Sequence, residues 1–354
     1  MAKELSKLMD FRPSIKVLDA TIRDGGLVND FFFTDECVRD LYQTNLKAGV
    51  DYMELGYKAD KELFVPTKFG KWKFCNDDDI RKVLGDTTGS PLKLAVMADV
   101  GRCNYKQDII KKADSPIDMI RVATYANTIP TAVEMIEDAK EKGYEVTCNM
   151  AISANQESDI KVALDLLGKS NVDCIYIVDS YGSIYPEQMA RIADVYMEAG
   201  KKYGKSIGIH AHNNMQQAFA NATALCEHPW HRDLMLDASV MGIGRGAGNL
   251  CLELIEKYLC ENFDGAYHAE FLYACADRHI RPIYEKTPWG YSIPYLLSAV
   301  NGRNPSYVAR LKEAGLSYPQ MEAVFKRMRE QDVGIRFDPE LCDRMIAEVV
   351  GRGA

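Results

Sequence analysis

The stretch Leu18-Asp19-Ala20-Thr21-Ile22-Arg23-Asp24-Gly25-Gly26 places an arginine and a carboxylate at the end of a short apolar run that reads as a strand. Far downstream, Ile207 to His210 repeats the arrangement, ending in His210-Ala211-His212-Asn213-Asn214. Between and beyond these two lie six more strand-like runs, near Tyr52 to Leu55, Leu92 to Met97, Met119 to Val122, Glu145 to Met150, Cys174 to Val178 and Met235 to Val240. Segments with apolar residues at i, i+3, i+4 and i+7 separate them, including 35–48, 130–142, 158–169, 186–203, 215–227 and 249–260. Eight strand and helix repeats over roughly 250 residues have the size and rhythm of a (β/α)8 TIM barrel. An open, doubly wound sheet is the alternative. The chemistry decides between them: Arg23-Asp24, Glu54, Asp99, Arg121, Asn149, Asp179, His210 and His212, and Gly244 to Asn249 all fall at or just after strand ends. Only a barrel brings such ends together on one face.

The rhythm stops near Asp264. We therefore expect a barrel over 14–264 and a helical C-terminal extension over 265–354, with helices near 269–279, 292–300, 305–314, 319–330 and 339–349. The 354 residues are 47% hydrophobic, ample for a buried core. Lys and Arg total 43 against 51 Asp and Glu, and the net charge of -8 offers no general attraction for nucleic acid or anionic membranes. The mixed charges of Met1 to Lys7 do not read as a signal peptide, and no run of about 18 apolar residues exists to span a bilayer. A cytoplasmic protein is expected. The 10 cysteines are scattered, without C-x-x-C spacing, and read as reduced thiols.

One residue separates His210 from His212, so on a strand both imidazoles point the same way and can share one ion. His228, His231, His268 and His279 lack such company and read as structural or exposed. Asp24 offers a hard oxygen ligand, although Asp-Gly is also a common turn dipeptide. Two imidazoles with a carboxylate suit Mg²⁺, Mn²⁺, Co²⁺ or Zn²⁺, of which Mn²⁺ or Mg²⁺ is favoured in the absence of a thiolate. Beside such an ion, Arg23 could stabilise an enolate oxygen, or it could form a plain surface ion pair; Glu54 could orient it. The evenly spaced glycines of Gly242-Ile243-Gly244-Arg245-Gly246-Ala247-Gly248-Asn249 miss the G-x-G-x-x-G dinucleotide pattern. They read instead as a loop that passes close to the ion and brings Asn249 to it.

Asp19 to Gly25, Glu54-Leu55-Gly56, Asp179-Ser180-Tyr181-Gly182, His210 to Asn214 and Gly242 to Asn249 together resemble the metal-dependent aldolase, lyase and synthase family of TIM barrels. This family includes 4-hydroxy-2-oxovalerate aldolase, hydroxymethylglutaryl-CoA lyase, isopropylmalate synthase and homocitrate synthase, and the oxovalerate aldolases resemble the chain most. The resemblance covers most of the first 260 residues. It implies Asp24, His210 and His212 as metal ligands with Asn249 as a fourth, and Arg23 at the enolate. Trp289 to Leu297 looks like the segment with which those aldolases return a tyrosine to the active site, here Tyr291. The helical tail matches the unit through which they contact an acylating aldehyde dehydrogenase, and it also suits self-association.

Leu27 departs from this pattern. The acyl-CoA-using members usually carry glutamine there, and the bacterial oxovalerate aldolases carry a histidine that acts as base; leucine has no lone pair to accept a proton. Proton transfer would fall to Tyr291, water, Asn29, Asp30, Tyr57 or Asp179. The resemblance implies a divalent-metal aldolase that cleaves or forms a 4-hydroxy-2-oxo acid from a pyruvate-type enolate and an aldehyde. The alternatives are a Claisen-type, acyl-CoA-dependent synthase or lyase and a non-catalytic metal-binding partner subunit.

Overall fold

Eight β-branched-rich segments pair in parallel and in chain order, and the last closes onto the first. This computed structural model describes residues 14–351 apart from Ala154, His231 and Asp264; the N-terminal stretch 1–13, those three residues and 352–354 lie outside the described residues. The strands are β1 (Ile15–Asp19), β2 (Tyr52–Tyr57), β3 (Lys93–Asp99), β4 (Met119–Tyr125), β5 (Glu145–Ala151), β6 (Cys174–Asp179), β7 (Ser206–Ala211) and β8 (Leu234–Ala238). Closure is direct, with Ile15 to Asp19 in register with Leu234 to Ala238. The expected TIM barrel is the fold.

Every residue of β2, β6 and β8 is buried. Such strands face helices outside and packed side chains inside, which is why they read as near-continuous apolar runs. Leu18, Tyr52, Ala95, Met119, Cys174, Tyr176 and Met235 fill the barrel interior. Gly208 on β7 makes room there, because a Cβ would stand 2.6 Å from the Tyr176 ring. The Arg121 guanidinium lies 4.6 Å above that ring, so the hydrophobic filling ends where the charged residues begin.

Helices Asp35–Ala48 and Pro186–Tyr203 match the apolar periodicity, and Thr34 caps the first by accepting a hydrogen bond from Cys37 N at 3.1 Å. Other expectations shift. The helix expected from Met215 begins at Ala218 and the one from Asn249 begins at Leu252. Gln216 has a positive φ of 59°, and Asn249 is held in an antiparallel bridge to His212, so neither can open a helix. β8 ends at Ala238 because Val240–Gly242 is a tight turn. The short helix Thr21–Gly25, directly after β1, carries no periodic signal of its own.

Past the barrel, Leu272, Cys275, Ile280 and Trp289 pack into the main hydrophobic cluster. Tyr307, Leu311, Met321, Phe325, Leu341 and Met345 form a separate one. Helices Ile293–Val300, Tyr307–Glu313, Tyr318–Glu330 and Pro339–Val350 build this second unit. It meets the barrel at the C-terminal ends of the strands: Tyr181 Oη donates to Ile335 O, Arg336 donates to Asn127 Oδ1 at 2.9 Å, and Arg245 donates to Ser306 Oγ at 3.3 Å. Among the described residues no helix is long and apolar enough to cross a membrane, and all ten cysteines are free.

Candidate active site

Asp19, the last residue of β1, shapes the first half of the site. Its carboxylate accepts from Thr21 N at 2.9 Å, from Thr21 Oγ1 and from Asn45 Nδ2 at 2.7 Å. This fixes the turn into helix Thr21–Gly25, and Thr21 Oγ1 in turn accepts from Val240 N at 2.9 Å. Arg23 and Asp24 therefore point across the barrel mouth from a helical turn, where a continued strand would have sent them to opposite faces. β7 supplies His210, and the next alternate residue is His212; the two rings stand 5.1 Å apart, edge to face.

Asp24, His210 and His212 are all buried, and one potential ligand atom from each lies within 4.8 Å of the other two. The donor set fits a divalent ion. His210 Nδ1 is 3.0 Å from Asp237 Oδ2, which fixes that proton and leaves the buried Nε2 without a hydrogen-bond partner, 3.9 Å from Asp24 Oδ2. Asn249 donates to Asp24 Oδ2 at 2.5 Å and to Ile243 O at 3.1 Å, and its buried Oδ1 has no partner. Orphaned acceptors in a dry site are costly, and an ion would satisfy both. Burial pushes the His212 imidazole down to about 3, against the attraction of Asp24, so its ring is neutral and its lone pair is available. For Asp24, burial alone would raise the carboxyl, but Arg23, His212 and His210 overcome it and hold the group well below the usual carboxylate range.

A glycine makes this crowding tolerable. At Gly244 a Cβ would stand 2.4 Å from Asn249 Nδ2 and 2.8 Å from Asp24 Oδ2. The loop after β8 does pass close to the ligand cluster, as its composition suggests.

Of the scaffold behind the ligands, sequence reasoning anticipated Glu54 orienting Arg23 but missed the roles of Arg121 and Asp237. Arg23 Nε donates to Glu54 Oε2 at 2.7 Å and Arg23 Nη1 to Asp24 Oδ1 at 2.6 Å. Arg121 on β4 donates to the same Glu54 oxygen at 2.7 Å and, through Nη2, to Asp237 Oδ2 at 2.5 Å. Asp24, Arg23, Glu54, Arg121, Asp237 and His210 thus form one hydrogen-bonded circuit around the mouth, open only between His210 Nε2 and Asp24 Oδ2, which stand 3.9 Å apart. Burial would raise the Asp237 carboxyl, but Arg121 and His210 hold it below its usual range. Three carboxylates face two guanidiniums and a histidine, and the surplus negative charge favours a cation. Signals for the missing members existed in the sequence: Arg121 and Asp237 each interrupt an otherwise apolar strand, where a charge survives only if paired.

The remaining candidates divide. Asp179 accepts from Ser183 N and Ile184 N, each at 3.1 Å, and from Ser153 Oγ at 3.2 Å, so its carboxylate ties the loop after β6. Tyr57 is buried against Phe31 and lies under the ammonium of Lys73, which is 4.4 Å from its ring centre. Leu27 is 38% exposed, and Tyr291 is 58% exposed without a hydrogen-bond partner among the described residues. The segment carrying Tyr291 is anchored, since Trp289 Nε1 donates to Met241 O at 2.9 Å and Tyr295 packs beside Gly246. Tyr291 takes no part in the ligand circuit.

A barrel with a buried Asp-His-His cluster at the C-terminal ends of its strands is the architecture of a metal-dependent enzyme, and the comparisons give its family. Residues 14–262 match the HMGL-like family, and the chain belongs to it. It is 26% identical over 337 residues to oxaloacetate decarboxylase from Mycobacterium tuberculosis, covering 93% of this chain and 95% of that protein. It is 27% identical to 4-hydroxy-2-oxovalerate aldolase from Geobacillus genomosp. 3 over 250 residues, 70% of this chain and 71% of that one. Among solved structures, the N-terminal domain of a Bacteroides vulgatus protein superposes with a TM-score of 0.73 at 25% identity, covering 86% of this chain and 98% of that domain.

Proposed function

We propose that this chain is a divalent-metal-dependent carbon–carbon lyase that releases or consumes the enolate of a 2-oxo acid, acting as an aldolase on a 4-hydroxy-2-oxo acid. The observation that carries this reading is the pairing of the Asp24-His210-His212 cluster with Arg23, whose Nη2 is buried and without a partner beside it. A divalent ion held by Asp24, His210, His212 and Asn249 would supply Lewis acidity toward the oxo and carboxylate oxygens. Arg23 is held rigidly by Glu54 and Asp24, so its free N–H is already aimed where negative charge develops on the oxo oxygen. In aldol cleavage the bond between carbons 3 and 4 breaks, its electron pair passes to the enolate, and the 4-hydroxyl gives its proton to a water molecule at the open mouth as the aldehyde forms. We assign contact with that hydroxyl to Tyr291, on the segment packed against the loop after β8. The relatives named as aldolases support the assignment of reaction type.

Leu27 favours a second reading, decarboxylation of a 3-carboxy-2-oxo acid such as oxaloacetate. Its departing group is a carboxylate that leaves as CO2, so bond cleavage needs no base. The same enolate results, and the relative named oxaloacetate decarboxylase aligns over nearly its whole length.

The aldolase reading requires metal-dependent exchange of the methyl protons of pyruvate with D2O, followed by NMR on Mn²⁺-loaded protein. Wild type should exchange them and His210→Ala should not; absence of exchange in wild type overturns the aldolase reading, while the decarboxylase reading, which needs no proton abstraction, falls if Mn²⁺-loaded wild type turns over oxaloacetate no faster than His210→Ala does. Comparing turnover of 4-hydroxy-2-oxovalerate with that of oxaloacetate, each corrected for the His210→Ala background, then separates them.

A further inference from the structure

Arg245 differs from the arginines of the site. Arg23 and Arg121 are each held by two carboxylates. Arg245 is partly buried and, among the described residues, has no carboxylate within 4.0 Å and one side-chain hydrogen bond, to Ser306 Oγ at 3.3 Å. It nonetheless belongs to the site. Gly244, the preceding residue, stands against both Asp24 and Asn249, so the backbone of Arg245 follows the cluster by a single peptide. Its charge bears on His212, on the phenol of Tyr181 and on Tyr295.

The surroundings add to this excess. Where the C-terminal helices meet the barrel, Arg336 stacks on Tyr125 at 5.3 Å and donates to Asn127, with no acid partner among the described residues. Arg303 is 5% exposed, its Nε has no partner, and its nearest acid is the almost fully exposed Asp332 at 3.5 Å. A chain with a net charge of -8 thus gathers three poorly compensated guanidiniums where the C-terminal helices meet the barrel mouth. An arginine fork left open in a partly desolvated position is suited to receive an oxyanion two bonds at a time.

We propose that Arg245 receives a second anionic group of the substrate, so that the 2-oxo acid handled here carries an oxyanion beyond the reacting carbons. This rests on the 2-oxo acid reading above and narrows it. The 2-oxo acid head occupies the Asp24, His210 and His212 end, Arg23 faces the oxo oxygen, and the tail turns toward the loop after β8 and the C-terminal helices. A carboxylate and a phosphonate-like group share this chemistry.

Calorimetry on Mn²⁺-loaded protein with 2-oxobutyrate, 2-oxoglutarate and 3-phosphonopyruvate tests the proposal. Wild type should bind at least one anionic-tailed acid about tenfold or more tightly than 2-oxobutyrate. The preferred tail identifies carboxylate or phosphonate. Arg245→Gln should bring that ratio to within about threefold of unity, and Arg245→Lys should keep part of it. Labelling of wild-type Arg245 by phenylglyoxal, read by peptide mass spectrometry, gives a measure independent of any variant: the anionic-tailed acid should protect it and 2-oxobutyrate should not. No preference in wild type, a preference that survives in Arg245→Gln, or equal protection by both acids overturns the proposal. If no 2-oxo acid binds in a metal-dependent way, the enolate reading fails and this inference fails with it; metal-dependent binding of all three acids without preference sinks only the inference.

Discussion

The floor and the lip of the barrel mouth are built on different principles. On the floor, Asp24, Arg23, Glu54, Arg121, Asp237 and His210 are each no more than 3% exposed and joined into one circuit. On the lip, Leu27 and Tyr291 are 38% and 58% exposed, and Arg245 has a single long hydrogen bond. Groups on the floor belong to strands or to a turn locked onto a strand, so their positions are fixed before any substrate arrives. Groups on the lip sit on loops and on the C-terminal segment, where change is cheap. On the function proposed above, the contrast teaches that the enolate-forming half of the chemistry is a property of the scaffold, whereas the choice of the second fragment is left to replaceable parts.

Cutting the floor should produce the largest effect. His210→Ala removes a ligand and leaves Asp237 with one partner fewer, and Mn²⁺-dependent exchange of pyruvate protons should fall by about a thousandfold or more, as read by NMR. Asp237→Asn tests whether the circuit matters beyond the ligands. It replaces the carboxylate that fixes the His210 tautomer by a neutral amide and takes a carboxylate from buried Arg121, so Mn²⁺ affinity should drop by about 10–100-fold in a metal titration. Thermal unfolding of the metal-free protein should show a loss of about 3–5 kcal/mol, the usual result of breaking a buried ion pair. A variant with unchanged affinity and stability would mean that the circuit is incidental.

Changes on the lip should be gentler and should alter selectivity. Leu27→His should raise aldol cleavage of 4-hydroxy-2-oxovalerate by about tenfold or more if a base is what the wild type lacks, and leave decarboxylation of oxaloacetate little altered. A fall in cleavage would show that Leu27 shapes the pocket. Tyr291→Phe should lower cleavage while changing proton exchange of pyruvate by less than about threefold, because exchange involves no departing hydroxyl; equal losses in both assays would place Tyr291 with the floor.

The mildest test is pH. His212 is neutral in the folded, metal-free protein down to about 3, whereas in the unfolded chain it takes up a proton near its ordinary 6.5. Between these values the unfolded state binds more protons, so stability contributed by His212 is present above about 6.5 and is lost as pH falls toward about 3. Asp24 is held low, and its contribution disappears in more acid solution still. The unfolding midpoint of the metal-free protein should therefore drop between pH 6.5 and 4, and His212→Gln should flatten that slope. An unflattened slope would assign the pH dependence to groups outside the site.

Much of the fold and the ligand set was legible in the chain because their signals are local. Strand-sized apolar runs alternating with helical periodicity announce the barrel, and His210-Ala211-His212 fixes two imidazoles on one face through the two-residue period of a strand. Leu27 was equally visible, since the absence of a lone pair is a property of one side chain. Other features depended on contacts between distant residues and could not be read that way. Asp237 acquires its place only because Ile209 pairs with Leu236, which sets the next residues, His210 and Asp237, side by side. Arg121 and Glu54 meet across the barrel because closure brings β2 and β4 around one interior, 67 residues apart in sequence. Arg245 reads as one more residue of a glycine-rich loop until the C-terminal helices arrive and present it with a serine and no acid. Residue type and spacing determined which groups could bind a metal. Chain closure and packing decided which charges were neutralised and which were left open.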